Sequence, residues 1–130
     1  MGYLFGSRWD PRVPTYWLAL CSSAPTDSAP GTEVAAEGYR RTRIVNTASF
    51  WTVPTQTGQH GETSNRFAFS STTFKAQALV SHIELWDART AGNRLYWGVL
   101  VNAAGVPTPV PVAAGFRLRF PVGKFRIRED

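Results

Sequence analysis

Short runs of alternating apolar and polar residues, separated by turn-forming residues, recur along this chain. The clearest are 116–120 and 124–128, where Phe, Leu or Ile alternates with a basic residue. A period of two is typical of strands with one buried face. Residues 15–21 are apolar almost throughout, as expected of a strand that is buried on both faces. Only residues 74–79 are compatible with a helical turn, so the pattern predicts an all-β protein.

Further strands are expected between clusters of Gly, Pro, Ser and Asn. They lie at 40–46, 49–53, 65–69, 79–86 and 94–101, with a proline-rich edge segment at 106–111. Residues 22–31 and 55–64 are predicted to be surface loops. Residues 87–93 are predicted to form a hairpin loop in which Gly92 and Asn93 take a positive φ. About eight short strands at this spacing predict a two-sheet antiparallel β-sandwich with jelly-roll or immunoglobulin-like topology.

Length and composition indicate one folded domain with an extension. A chain of 130 residues suits a single domain, and an aromatic content of 13% excludes disorder over most of its length. Residues 1–14 contain two prolines and no regular period. This composition predicts an extended N-terminal arm that needs a partner surface to become ordered. We therefore expect an arm at 1–14 and a single β-sandwich domain at 15–130.

Signatures of catalysis and metal binding are weak. The single cysteine, Cys21, permits no intramolecular disulfide and is expected to be buried. His82 and Glu84 share one face of a predicted strand but have no third metal ligand at a matching spacing. Asp87 and Glu84 could be read as a glycosidase pair, but Asp at a strand end more often accepts N–H groups of its own turn. With no phosphate-binding glycine loop and no nucleophile motif, we expect no enzyme activity, no cofactor and no metal.

Arginine dominates the basic residues. Fourteen Lys and Arg outnumber nine Asp and Glu, which gives a net charge of +5, and twelve of the fourteen are Arg. Alternation places Arg117 with Arg119, and Arg126 with Arg128, so the four form one ladder if their strands pair. Like charges across a sheet repel by about 0.2–1 kcal/mol per pair, whereas a charge-assisted hydrogen bond contributes about 1.5–3 kcal/mol. We expect these arginines to bind an acidic protein surface. Recognition motifs for nucleic acid are absent, so no nucleic-acid partner is expected.

Five tryptophans are more than one small core readily accommodates. Trp51, Trp86 and Trp97 fall in predicted strands and are expected to pack inside. Trp9 lies in the arm between two charged residues, where nothing local would bury it. Because Trp and Arg are enriched at interface hot spots, we expect Trp9 to anchor a partner. The aromatic residues of the arm that are predicted to bind a partner are Tyr3, Phe5 and Trp9.

A fixed order of short motifs runs from residue 16 to residue 127. The motifs are Tyr16-Trp17-Leu18-Ala19-Leu20, Ala24-Pro25-Thr26-Asp27, Gly38-Tyr39-Arg40-Arg41, Ser64-Asn65 before Phe67-Ala68-Phe69, Ile83-Glu84-Leu85-Trp86-Asp87-Ala88, Gly92-Asn93-Arg94-Leu95-Tyr96-Trp97-Gly98 and Ala114-Gly115-Phe116. In this order the chain resembles a family of small bacteriophage virion proteins. Genes of that family are labelled tail fibre or minor tail proteins, and similar small chains serve as capsid cement. The resemblance implies a non-enzymatic structural protein of the virion.

Two functions are compatible with this resemblance. The first is a capsid cement or decoration protein on the outer capsid surface, bound to the major capsid protein and to its own copies as a homodimer or homotrimer. The alternative is a tail fibre or minor tail module that attaches to the host surface. Cement ranks first because the loops 22–31 and 55–64 carry no aromatic residue to stack on sugars, and because the chain has no repetitive shaft. With no apolar leader or membrane-length apolar run, we expect synthesis in the host cytoplasm and no membrane partner.

Overall fold

All regular elements of the computed structural model, which describes residues 15–45, 50, 55–57 and 60–128, are strands. They are β1 (Thr15–Cys21), β2 (Thr42–Val45), β3 (Thr55–Thr57), β4 (His60–Ser64), β5 (Phe69–Ser70), β6 (Ala78–Val80), β7 (His82–Trp86), β8 (Arg94–Val99), β9 (Val110–Val112), β10 (Arg119–Phe120) and β11 (Arg126–Arg128). Every strand pair within the described ranges is antiparallel. The all-β, antiparallel part of the prediction is confirmed.

The largest sheet has four strands in the order β2–β1–β7–β8. Three smaller sheets have the orders β11–β4–β3, β10–β5 and β6–β9. Over the residues that the structure describes, these sheets do not close on one another. The finer expectation of a jelly-roll or immunoglobulin-like sandwich therefore stays a prediction.

The main core lies on one face of the four-stranded sheet. On β1, alternation places Tyr16, Leu18 and Leu20 on this face, and all three are fully buried. Leu18 is directly opposite Leu85, and Leu20 is opposite Ile83. Burying one such side chain contributes about 1.5–3 kcal/mol. The remaining buried members of this core are Val34, Ile44, Phe74, Val80, Tyr96, Leu100, Val112, Phe120 and Phe125.

The predicted hairpin between β7 and β8 is confirmed, with a register shift between Leu85 and Trp86. In its loop the Asp87 carboxylate accepts hydrogen bonds from the backbone N–H of Asn93 at 2.7 Å and from the Asn93 side chain at 3.0 Å. These bonds lower the pKa of Asp87. The expectation that Asp87 serves its own turn is thus confirmed. Positive φ falls on Gly92 and Ala91, and the expectation of positive φ at Asn93 is wrong.

Several predicted elements differ in the structure. The strand expected at 65–69 is not formed, since only Phe69 belongs to a strand, β5. The single strand at 79–86 is two strands, because the Ser81 N–H leaves the ladder and donates to Cys21 O at 2.9 Å. The prediction of a helical turn at 74–79 is wrong, because residues from Ala78 onward form β6 and pair with β9. The Phe74 N–H also donates to the distant Phe116 O, at 2.9 Å. The segment 55–64, predicted to be a polar loop, contains the antiparallel pair β3–β4. Its sequence has too few apolar residues for an alternating pattern to indicate strands. The strand expected at 49–53 lies outside the described residues except for Phe50.

Asn65 is a fully buried polar residue that fixes the turn before β11. Its Nδ2 donates to Phe67 O at 2.9 Å and to Pro121 O at 3.0 Å. Its Oδ1 accepts from the Phe125 N–H at 3.0 Å, and its backbone carbonyl accepts from the Gly123 N–H at 3.0 Å. A buried amide with these partners is fully satisfied and sets the path of the chain between β10 and β11.

Candidate functional site

Of the predicted partner-binding residues, only the four arginines lie within the described part of the chain. Tyr3, Phe5 and Trp9 lie outside the described residues, as does Trp51. Their roles stay predictions.

The prediction that the four arginines form one ladder is wrong. Arg119 on β10 is opposite Ser70 on β5, whereas Arg126 and Arg128 on β11 are opposite Ser64 and Glu62 on β4. The two arginine-bearing strands therefore belong to different sheets. The physical reason is the turn at 121–125, which wraps around the buried Asn65 amide and sends the chain to a new partner.

The face of the four-stranded sheet opposite the core carries tryptophans. Strand register places Trp17 on β1 directly opposite Trp86 on β7, and Glu84 opposite Trp97 on β8. On the outer strands, Arg43 is opposite Trp17 and Arg94 is opposite Trp86. Five of these six residues alternate with core residues along their strands, so they share the second face of the sheet. Arg94 is in phase with the buried Tyr96, but the register shift beside Trp86 brings it to the same face, where it contacts Glu84. We call this surface the tryptophan face.

Trp86 and Trp97 do not pack inside as expected. Both are half-buried, and neither belongs to the core or packs against it. Alternation explains the difference, because Trp86 is in phase with His82 and Glu84 and out of phase with the buried Ile83. The same phase places Trp17 on this face, where it is also half-buried.

Glu84 is the buried centre of the tryptophan face, with 1% of its surface exposed. Its Oε1 accepts from the Cys21 thiol at 3.3 Å and from the Trp86 indole N–H at 3.2 Å. Its Oε2 accepts from the Gly31 N–H at 3.0 Å and from Arg94 at 3.2 Å. Four donors on two oxygens satisfy this carboxylate completely. Burial together with the nearby Glu84 carboxylate raises the pKa of Cys21, so the thiol stays protonated and acts as a donor.

Arg94 joins Glu84 to the loop 22–31. Its guanidinium pairs with Glu84 and also donates to Ala29 O at 2.9 Å and to Thr26 O. In the same loop the Asp27 carboxylate accepts from the Trp97 indole N–H at 3.1 Å. The loop is therefore held against the sheet by one buried ion pair and by the hydrogen bonds from Arg94 to its backbone carbonyls.

A second acid–arginine pair flanks Trp86. Arg41 donates through Nε and Nη2 to the two carboxylate oxygens of Glu33, each at 3.2 Å, and its guanidinium carbon lies 4.3 Å from the centroid of the Trp86 ring. The third guanidinium nitrogen of Arg41, Nη1, donates to the carbonyls of Ala88 and Ala91 in the hairpin loop. The Tyr39 hydroxyl donates to Glu33 at 2.5 Å, and burial with this bond raises the pKa of Tyr39.

The tryptophan face thus has two parts: side chains held by internal contacts around Trp86, and polar groups at Trp17 and Arg43 that have no partner in the described part of the chain. Trp86 is fixed by Glu84 at its N–H and by Arg41 over its ring. Among the described residues, neither the indole N–H of half-buried Trp17 nor the exposed guanidinium of Arg43 has a hydrogen-bond or ion-pair partner. Such a surface suits binding, since aromatic rings with Arg are the groups that dominate interface hot spots.

Chemistry beyond binding has little support in the described part of the chain. No cluster of three or more His, Cys, Asp or Glu side chains lies together in those ranges. Burial lowers the pKa of His82, whose Nδ1 lies 2.8 Å from Ser81 Oγ. No helix long and apolar enough to span a membrane occurs in the same ranges.

A family model described as Podophage GP4 fiber I protein gp80 matches residues 3–128. The chain belongs to this family. It is a phage virion structural protein, as the order of its motifs predicts. No curated protein matches the chain. The description of the family fits the tail fibre alternative better than the capsid cement reading.

This member of the fibre family carries a second notable surface around β5 and β10. Among the described residues, the segments 64–81 and 100–125 contain no Asp or Glu, yet they contain exposed basic side chains. These are Arg66, Lys75, Arg117, Arg119 and Lys124. Arg117 donates to Thr73 Oγ1 at 3.0 Å, and Phe67 and Phe116 are exposed nearby in sequence. We call this group of side chains the basic surface.

Proposed function

We propose that the chain is a fibre module of the phage tail that takes part in attachment to the host surface. The observation that carries this proposal is the match of residues 3–128 to a family of fiber proteins. Within that family, the role of each surface of this chain follows from its chemistry.

The tryptophan face supports a recognition role. A host surface presents sugar rings and polar side chains, and half-buried indoles carried on strands bind such groups with little loss of entropy. The loops 22–31 and 55–64 lack aromatic residues, which first argued against host attachment. The aromatic residues that attachment needs lie instead on a sheet face, which is more rigid than a loop.

The basic surface supports a second contact, toward the rest of the virion. Arg117 and Arg119 alternate with half-buried Leu118, so both side chains are exposed on the other side of the strand, where Arg117 also donates to Thr73. Their expected partner is an acidic protein surface, because no carboxylate in segments 64–81 or 100–125 neutralises them. Replacing Arg119 by Glu is expected to release the chain from particles, while the matched change Arg89→Glu in the exposed hairpin loop leaves it attached.

The location of the chain on the particle separates the fibre function from the cement function. Purified particles are labelled with a gold-conjugated antibody against the chain and imaged by electron microscopy, and adsorption to host cells is measured with and without the antibody. Gold at the tail together with slower adsorption supports the proposal. Gold spread over the head, with adsorption unchanged, overturns it and returns the chain to the outer capsid surface and the major capsid protein.

A further inference from the structure

The polar interactions beneath the tryptophan face are an unfavourable way to stabilise a fold. Burying an ion pair such as Glu84–Arg94 has a desolvation penalty that often exceeds the gain, and well-packed apolar residues of similar volume are commonly as stable or more so. What this pair does provide is position. Glu84 fixes the Trp86 indole, and Arg94 holds the loop that contacts Trp97.

Trp17 and Arg43 are the open part of this prepared surface, because the Trp86 indole N–H is bonded to Glu84 and Arg41 lies over the Trp86 ring. The two residues lie side by side on β1 and β2. Neighbouring strands are about 4.8 Å apart. That spacing accommodates one sugar ring, whose C–H face packs on the Trp17 indole while its hydroxyls take hydrogen bonds from groups such as the Trp17 N–H.

The charged groups on this face determine which kind of sugar it binds best. Three carboxylates border the face, and each already receives an internal donor: Asp27 from Trp97, Glu33 from Arg41, and Glu84 from Arg94. Arg43 is exposed and has no carboxylate partner among the described residues. A guanidinium beside the Trp17 indole is complementary to a sugar that carries a carboxylate, because Arg binds carboxylates in a planar, bidentate geometry.

We propose that Trp17 and Arg43 bind an acidic polysaccharide, with a sugar ring on Trp17 and its uronate carboxylate on Arg43. This inference rests on the proposed role in host attachment and names the class of ligand. The indole supplies affinity for the C–H face of any sugar ring, and the arginine supplies the preference for an acidic one. An acidic protein would satisfy Arg43 but would not need the indole ring.

Affinity electrophoresis of the full chain tests the inference. The native gels contain polygalacturonate, fully methyl-esterified pectin, which has the same rings without the charge, or polyglutamate, which has the charge without rings. We expect the strongest retardation by polygalacturonate and weaker retardation by the esterified polymer. Polyglutamate is expected to retard the chain less than polygalacturonate, because it reaches only the net charge of +5 and the basic surface. Equal retardation by polygalacturonate and polyglutamate, or none by any polymer, overturns the inference.

Variants assign the binding to named residues. Trp17→Ala is expected to weaken binding to polygalacturonate about tenfold or more, as for an interface hot spot. Arg43→Gln is expected to remove the preference for the acidic polymer over its ester. Arg89→Gln, at an exposed position in the hairpin loop, is the matched charge control and is expected to bind normally. Because Arg43 is exposed, its variant folds even if Trp17→Ala does not, and unchanged preference in Arg43→Gln overturns the assignment.

The electrophoresis tests the ligand assignment and the particle labelling tests the tail location, so either claim can be contradicted without the other. If gold marks the tail and the antibody slows adsorption while no polysaccharide binds, the attachment role stands and the acidic-sugar assignment is wrong. If gold marks the head while polygalacturonate binds through Trp17 and Arg43, the ligand assignment stands and the tail location is wrong.

Discussion

The substitution Glu84→Gln probes the polar centre of the tryptophan face with almost no change in shape. The carboxylate has four donors, two on each oxygen. An amide keeps one oxygen and places an NH2 donor at the other position. If the NH2 replaces Oε2, the Gly31 N–H and the Arg94 guanidinium each face a donor. If it replaces Oε1, the Cys21 thiol and the Trp86 indole do.

The expected loss of stability follows from these unsatisfied donors. A buried donor left without an acceptor costs about 1–3 kcal/mol, and removing one partner of a buried ion pair costs about 3–5 kcal/mol. The Arg94 side chain is 12% exposed and can turn partly toward water, which favours the lower end of that range. We expect a loss of about 3 kcal/mol in the free energy of unfolding, or about 10 °C in Tm for a domain of this size.

Two measurements check this value. Urea unfolding gives the free energy of the parent chain, of Glu84→Gln and of the control Glu37→Gln, whose exposed side chain changes by less than about 0.5 kcal/mol. If the NH2 replaces Oε2, hydrogen exchange is expected to accelerate at the Gly31 amide in the Glu84 variant alone, because that amide then loses its acceptor. Equal stability of the two variants would refute the reasoning.

Further predictions concern turns, a buried amide and a histidine. Gly92→Ala is expected to cost at least 1 kcal/mol more than Gly105→Ala: both have φ near +80°, but a Cβ at Gly92 would lie 2.5 Å from a carboxylate oxygen, whereas Gly105 has open space. Asn65→Ala is expected to cost about 3 kcal/mol and Asn102→Ala, in an exposed turn, under about 1 kcal/mol, both by urea unfolding. Because burial lowers the pKa of His82, the stability that neutral His82 contributes is full above about pH 6.5 and is lost as the pH falls through the lowered pKa. The His82→Gln variant is therefore expected to lose less unfolding free energy than the parent chain between about pH 7.5 and about pH 5. An equal loss in both chains would contradict this.

The local sequence pattern was sufficient to predict an element where a single strand face or a single turn determines its structure. The apolar run at 15–21 is β1, buried on one face by the core and covered near Cys21 by the loop 22–31. The hairpin at 87–93 follows from its own Asp87 and Gly92. In these cases the residues that fix the element lie within a few positions of one another, so the sequence carries the information directly.

Long-range polar contacts could not be predicted in the same way. Glu84 is bonded to Gly31 across 53 residues, and Asn65 to Phe125 across 60. No spacing rule links such positions, and a buried Glu or Asn looks like any polar residue in a strand. One signal was present for Trp86, because it shares the phase of Glu84 and His82 and so belongs to the polar face. The arginine ladder failed because two strands joined by a short turn need not pair with each other.

Adsorption of intact phage particles carrying Trp17→Ala in this chain tests the role of the tryptophan face most directly. Particles with Arg89→Gln serve as the control, and quantitative gels verify that each preparation contains the same number of copies of the chain. We predict that the adsorption rate constant falls about tenfold for the Trp17 variant and stays unchanged for the control. An unchanged rate for the Trp17 variant at full occupancy would contradict the assignment of host contact to this face.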